Sequence, residues 1–128
     1  MARNPITPDL IDGMVSRIVE RFAPLKVILF GACARGDATA ESDVDLLVVM
    51  PDGTHTRQAA TEMFDALVGC GAAKDIIVAT PYTLKRFGDT PGLIYRTVLR
   101  EGKTLYERPR SNNSMNNSPL RTPRARRT

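Results

Sequence analysis

The chain has 128 residues, 42% of them hydrophobic, which suits one domain with a real core; it has no apolar h-region at its N-terminus and no run approaching the ~20 apolar residues of a membrane span. Its two cysteines, Cys33 and Cys70, form no C-x-x-C pair, which sets aside a zinc site and a disulfide framework and makes a reduced, cytoplasmic setting the expectation. The net charge of +4 is unevenly placed: six of the eighteen Lys and Arg lie from Arg108 onward with no acid among them, so the rest carries twelve bases against fourteen acids, or −2.

Thr7-Pro8-Asp9 reads as a helix start, with Thr7 as N-cap, proline at the first position and an acid in the first turn. Leu10, Ile11, Met14, Val15, Ile18, Val19 and Phe22 then recur at helical spacing, and Pro24 ends the element. The apolar run Lys26–Phe30 predicts a strand, Gly31 a turn, and Val44–Met50 a second strand. After Pro51-Asp52-Gly53, Thr54 or Thr56 begins a helix that turns Ala60, Met63, Phe64, Leu67 and Val68 inward, with His55 as an exposed loop or capping residue. Asp75–Ala79 predicts a third strand, Pro81 to about Phe87 a short helix, and Thr90-Pro91 the cap of a helix carrying Leu93, Ile94, Val98 and Leu99. Gly102 ends that helix, and Lys103–Tyr106 closes the sheet as an edge strand.

This order predicts an α+β fold, a small mixed β-sheet covered by helices. The loop between the first two strands is too short for a crossover helix, so that pair is expected to be antiparallel. Residues 1–107 form the domain. Residues 108–128 are polar, rich in Asn, Ser and Pro, and lack apolar periodicity, which predicts a disordered basic tail. Its arginines could attract nucleic acid weakly; Tyr82, Tyr95 and Tyr106 are too scattered for a stacking platform.

The chemistry is concentrated in Gly31-Ala-Cys-Ala-Arg-Gly-Asp-Ala-Thr-Ala-Glu-Ser-Asp-Val-Asp45. Side chains alternate along a strand, so Asp43 and Asp45 point to the same side with Cα atoms roughly 7 Å apart. Such a pair repels unless a cation sits between its members. Hard oxygen ligands suit Mg²⁺, which commonly takes one or two carboxylates plus substrate phosphates. If the strand opening with Asp75 lies beside the second one, a third carboxylate reaches the same place. Three acids allow two metals about 3.5–4 Å apart, and Asp75 could accept the proton of an attacking hydroxyl. Asp75 could equally pair with Lys74 or cap its strand. Arg35 is either a solvated loop charge or a phosphate contact, its guanidinium fork matching phosphate oxygens.

Gly31-Ala32, ten residues, then Asp43-Val44-Asp45 resembles the Gly-Ser-x10-Asp-x-Asp signature of the DNA polymerase β-like nucleotidyltransferases. With Ala34-Arg35-Gly36 and Ser42–Leu46 the chain is most similar to the minimal nucleotidyltransferases, partners of HEPN-domain proteins in prokaryotic toxin–antitoxin pairs. The resemblance runs from about Ile18 to Glu107. It implies a nucleotidyltransferase fold, with Asp43, Asp45 and Asp75 as catalytic metal ligands and Gly31 and the Ala32 backbone facing the β/γ-phosphates. It further implies a two-metal Mg²⁺ site, ATP as substrate, and a tyrosine of a HEPN ribonuclease toxin as the AMP acceptor. One position departs: Ala32 stands where the family has serine. That predicts impaired catalysis, or an antitoxin that neutralises its HEPN partner by binding alone.

Overall fold

Thr7 opens the first helix as expected: its Oγ1 accepts the Leu10 N–H at 3.1 Å, Pro8 takes the first helical position and Asp9 sits in the first turn. The computed structural model describes residues 6–39 and 41–109, ordered α1 (Pro8–Phe22), β1 (Lys26–Phe30), α2 (Ala32–Arg35), β2 (Val44–Val49), α3 (Thr56–Ala66), β3 (Lys74–Ala79), α4 (Pro81–Phe87), α5 (Ile94–Glu101) and β4 (Lys103–Glu107). From Arg110 onward, the tail expected over residues 108–128 lies outside the described residues. Among those described, no helix is long and apolar enough to cross a membrane.

The sheet runs β3-β2-β1-β4. β1 is antiparallel to β2 and β4, whereas β2 and β3 are parallel, joined through α3. A parallel pair needs a crossover element, which α3 supplies between β2 and β3, whereas the short connection between β1 and β2 suits an antiparallel pair. The strands alternate between two cores. Val27, Leu29, Val44, Leu46, Val48 and Val78 pack under α1 and α3, against Met14, Ile18, Met63 and Leu67. Ile28, Phe30, Leu47, Val49 and Ala79 face the other way, against Leu84 of α4 and Tyr95 and Val98 of α5. Burial on both faces explains why β1 and β2 read as nearly continuous apolar runs.

Three local expectations are corrected. The turn after Gly31 contains a one-turn helix, α2. In α3 the inward residues are Ala59, Met63 and Leu67, while Phe64 is 45% and Val68 66% exposed. The inward stripe steps by four residues and misses Phe64, whose ring instead carries the Lys74 ammonium 4.3 Å from its centroid, a cation–π contact. Finally, α5 starts at Ile94 rather than at Thr90-Pro91. It buries Val98 and leaves Leu93, Ile94 and Leu99 in solvent. His55 is the N-cap of α3: its Nδ1 accepts the Gln58 N–H at 3.3 Å.

Candidate active site

β1 ends at Phe30, and the backbone must leave the sheet at once to make room for what stands opposite. The register places Phe30 against Asp45 of β2, and Asp45 against Asp75 of β3, so the three form one row across the sheet. Register partners share a face. Asp45 has the parity of Leu47 and Val49, and Asp75 that of Ile77 and Ala79, so both carboxylates rise from the α4–α5 side. Asp43 lies just before β2, two residues from Asp45, and its charge reaches that carboxylate. Lys74 has the opposite parity and engages Phe64, which answers one alternative for Asp75.

Gly31 makes this arrangement possible. Its φ of 74° and ψ of −156° lie in a region only glycine enters readily, and a Cβ there would run into the Asp45 carboxylate. The next residues coil into α2, with the N–H groups of Ala34 and Arg35 each donating to the Gly31 carbonyl at 3.1 Å. Gly36, at φ 81°, closes that turn. The loop back to β2 is braced from within. The Thr39 N–H donates to Ser42 Oγ at 2.9 Å, the Ser42 N–H to the Thr39 carbonyl at 3.0 Å and the Glu41 N–H to Thr39 Oγ1 at 3.2 Å. Cys33 Sγ lies 3.4 Å from the Asp43 carbonyl oxygen, a weak thiol donor tying α2 to the returning chain. The Val44 N–H then donates to Ala73 at 2.9 Å, which anchors the start of β2 beside β3.

Sequence reasoning passed over this bracing. Thr39 and Ser42, three apart, are the usual side chains for capping a tight loop, a signal that was available. Cys33 is one residue away from the expected hydroxyl position, and only the fold shows where its sulfur points.

The electrostatics report how close the acids stand. Asp45, half-buried, has its pKa raised, first by burial, then by the charges of Asp75 and Asp43, with Arg35 pulling it back. Burial, followed by Asp45 and Asp43, also raises the Cys33 thiol. The fold therefore brings Asp43, Asp75 and Arg35 each within charge range of Asp45. Asp43 and Asp75 remain exposed. Among the described residues none of the three acids has an ion-pair partner, and Arg35 Nε binds Asp37 Oδ2 at 3.2 Å.

A cation would fit here, because it relieves a repulsion that Arg35 offsets only in part. Among the described residues, however, no group of three or more His, Cys, Asp or Glu is clustered closely enough to hold a metal by itself. The donor set is an open one. Carboxylates are hard oxygen donors of the kind Mg²⁺ takes together with phosphate oxygens and water. Gly31 and Ala32 lie beside these acids, on the turn between β1 and α2.

Known proteins share this chain's pattern. The family model for the nucleotidyltransferase domain matches residues 11–105. A protein of Methanocaldococcus jannaschii named "putative protein adenylyltransferase" is 35% identical over 82 residues, 63% of this chain and 77% of that protein. The crystal structure of a "putative nucleotidyltransferase" from Sulfolobus solfataricus covers 78% of this chain and 79% of its own, with a TM-score of 0.55 at 22% identity, a likeness of fold. The match takes in the glycine turn, both strands of the acidic row and the closing edge strand, and by it this chain belongs to the nucleotidyltransferase domain family.

Proposed function

We propose that this chain is a metal-dependent protein adenylyltransferase. In this reading it transfers AMP from ATP to a tyrosine of a HEPN-domain ribonuclease toxin and so serves as an antitoxin. The row of acids beside the Gly31 turn carries the reading: Asp45 stands in register with Asp75 and within charge range of Asp43. The name given to the M. jannaschii relative supports protein as the acceptor class.

In this mechanism Asp43, Asp45 and Asp75 would hold Mg²⁺, which would supply positive charge at the attacking and departing oxygens. Backbone N–H groups at Gly31 and Ala32 and the Arg35 guanidinium hold the β/γ-phosphates. The tyrosine oxygen bonds to the α-phosphorus as the bond to the bridging oxygen breaks. Pyrophosphate leaves with that electron pair, and the phenolic proton passes to the Asp75 carboxylate. Positioning and electrostatics do most of the catalytic work.

Ala32 favours a second reading, an antitoxin that masks its partner by contact alone, because a methyl stands where the family's hydroxyl would. Incubation with Mg²⁺, α-labelled ATP and the purified HEPN partner separates the two. The enzymatic reading expects label on the partner with wild type and none with Asp45→Ala. Neutralisation that survives Asp45→Ala with no label transferred identifies the masking protein.

A further inference from the structure

The two faces of this sheet differ in the surfaces that cover them. Helices α1 and α3 carry Asp9, Asp12, Glu20, Glu62 and Asp65 against Arg17, Arg21 and Arg57. Helices α4 and α5 carry Lys85, Arg86, Arg96 and Arg100 against Glu101 alone. The same two helices leave large apolar side chains in solvent: Tyr82 is 61%, Ile94 43% and Leu99 45% exposed, with Leu93 and Phe87 close behind. Leu99 also spans the pair, since a Cβ on Gly88 at the end of α4 would meet its Cδ1 at 2.8 Å. Apolar side chains rimmed by charge mark a surface built for contact. This one lies on the side of the sheet toward which Asp45 and Asp75 rise.

We propose that the α4–α5 face seats the protein acceptor, through a patch on that protein that is apolar at its centre and acidic at its rim. The inference rests on the proposed reaction and adds where the acceptor binds. An acceptor hydroxyl must reach an α-phosphate held at Asp43, Asp45 and Asp75, so its carrier lies against this side. The basic rim selects acidic partners and speeds their encounter. Leu93, Ile94 and Leu99 are aliphatic, and of the two exposed rings on this face Phe87 already carries the Arg86 guanidinium, which leaves Tyr82 as a lone ring rather than a stacking platform and favours protein over nucleic acid. A second copy docking face to face would set like charges against one another.

The test measures affinity of the full chain for the purified acceptor of the labelling experiment, by calorimetry at two salt concentrations. Leu99→Asp is expected to weaken binding at least tenfold, as loss of a central interface residue does, and the double variant Arg96→Glu, Arg100→Glu by a similar factor, because it sets like charges against the acidic rim of the acceptor. The acceptor's KM should rise by a similar factor while affinity for Mg²⁺-ATP stays unchanged, and the charge variant should lose salt dependence. Arg57→Glu on α3 is the control and is expected to bind as wild type. Circular dichroism checks that each variant is folded, and the salt-dependence readout does not rely on Leu99. Wild-type affinity in both face variants would overturn the proposal. So would loss of RNA binding or of self-association with acceptor affinity intact, which would assign the face to nucleic acid or to a second copy. Because the readout is binding, a chain that holds its acceptor through this face yet transfers no AMP defeats the reaction and leaves the surface standing.

Discussion

Asp45 and Asp75 are register partners on parallel neighbouring strands, so their carboxylates leave one face of the sheet a single strand spacing apart, about 4.8 Å between backbones. Two charges this close weaken the fold unless something positive joins them. Asp45 records the strain as a raised pKa, caused first by burial and then by Asp75 and Asp43.

The first expectation concerns pH and Mg²⁺. With the folded pKa above the unfolded one, native Asp45 holds its proton more tightly than the unfolded chain does. Its stability contribution is present below the ordinary carboxylate range and lost as pH rises through the raised value. Above that raised value the ionised Asp45 meets the charges of Asp75 and Asp43. Mg²⁺ is therefore expected to raise the melting temperature at pH 7.5 and to do little at pH 4, as read by thermal unfolding with and without the ion. Asp45→Asn should melt higher than wild type in metal-free buffer at pH 7.5 and lose most of the Mg²⁺ effect. It should also lose roughly a hundredfold to a thousandfold in transfer rate, since a metal stabilises the transition state by several kcal/mol at about tenfold per 1.4 kcal/mol. An Asp45→Asn chain that melts lower than wild type without metal would contradict the repulsion.

Gly31→Ala is expected to damage both fold and site. The substitution forces a Cβ into a conformation that costs non-glycine residues about 1–3 kcal/mol, and that Cβ would run into the Asp45 carboxylate. Urea unfolding should show a loss of that order. The transfer rate should fall further than the unfolded fraction explains, because Asp45 must move. Gly53→Ala is the comparison: its φ is also positive, at 92°, but a Cβ there meets nothing within 4 Å. It should lose stability through strain alone and keep its rate.

The parts legible in the sequence are those that local rules dictate. Thr7-Pro8-Asp9 spelled a capped helix, β1 and β2 announced two-sided burial by continuous apolar runs, and the short loop between them required antiparallel pairing. Asp43 and Asp45 could be placed on one side by alternation alone. Which side, and whether Asp75 stood there too, depended on β3 pairing with β2, a long-range choice that no local spacing encodes. The error in α3 has the same origin. Phe64 and Val68 are apolar at plausible helical positions, so periodicity assigned them to the core. The sheet supports only a narrow stripe on each helix, and the remainder stays outside.

Arg35 presents a different case, because it has a partner. Its Nε binds Asp37 Oδ2 while its charge also lowers the pKa of Asp45. Both side chains of that pair are at least half exposed, so the pair itself adds little to stability, within about 1 kcal/mol. Arg35→Ala should leave the urea midpoint almost unmoved and raise the KM for ATP about tenfold or more, the loss of one charge-assisted phosphate contact. Arg35→Lys should recover part of that, because a lysine supplies the charge without the two-pronged geometry. Asp37→Ala frees the guanidinium and should leave KM unchanged or lower it. Unchanged KM in both Arg35 variants would assign that residue to loop solvation.

Ala32→Ser restores the hydroxyl that the family carries at this position, and it asks whether the methyl is a handicap or an adaptation. The residue is the first of α2, directly after Gly31, and only half-buried, so a single added oxygen enters without repacking a core. A hydroxyl donating to a phosphate oxygen contributes on the order of 1.5–3 kcal/mol, or roughly a tenfold to a hundredfold in rate. Transfer of label to the acceptor is therefore expected to rise by at least tenfold in Ala32→Ser, with acceptor affinity unchanged. The rise should disappear when Asp45→Ala is added, because in the proposed mechanism a better phosphate grip cannot act without the Asp45 carboxylate. If Ala32→Ser transfers no more label than wild type while ATP binds more tightly, the hydroxyl stabilises ground and transition states alike, and the missing serine is not what limits this chain.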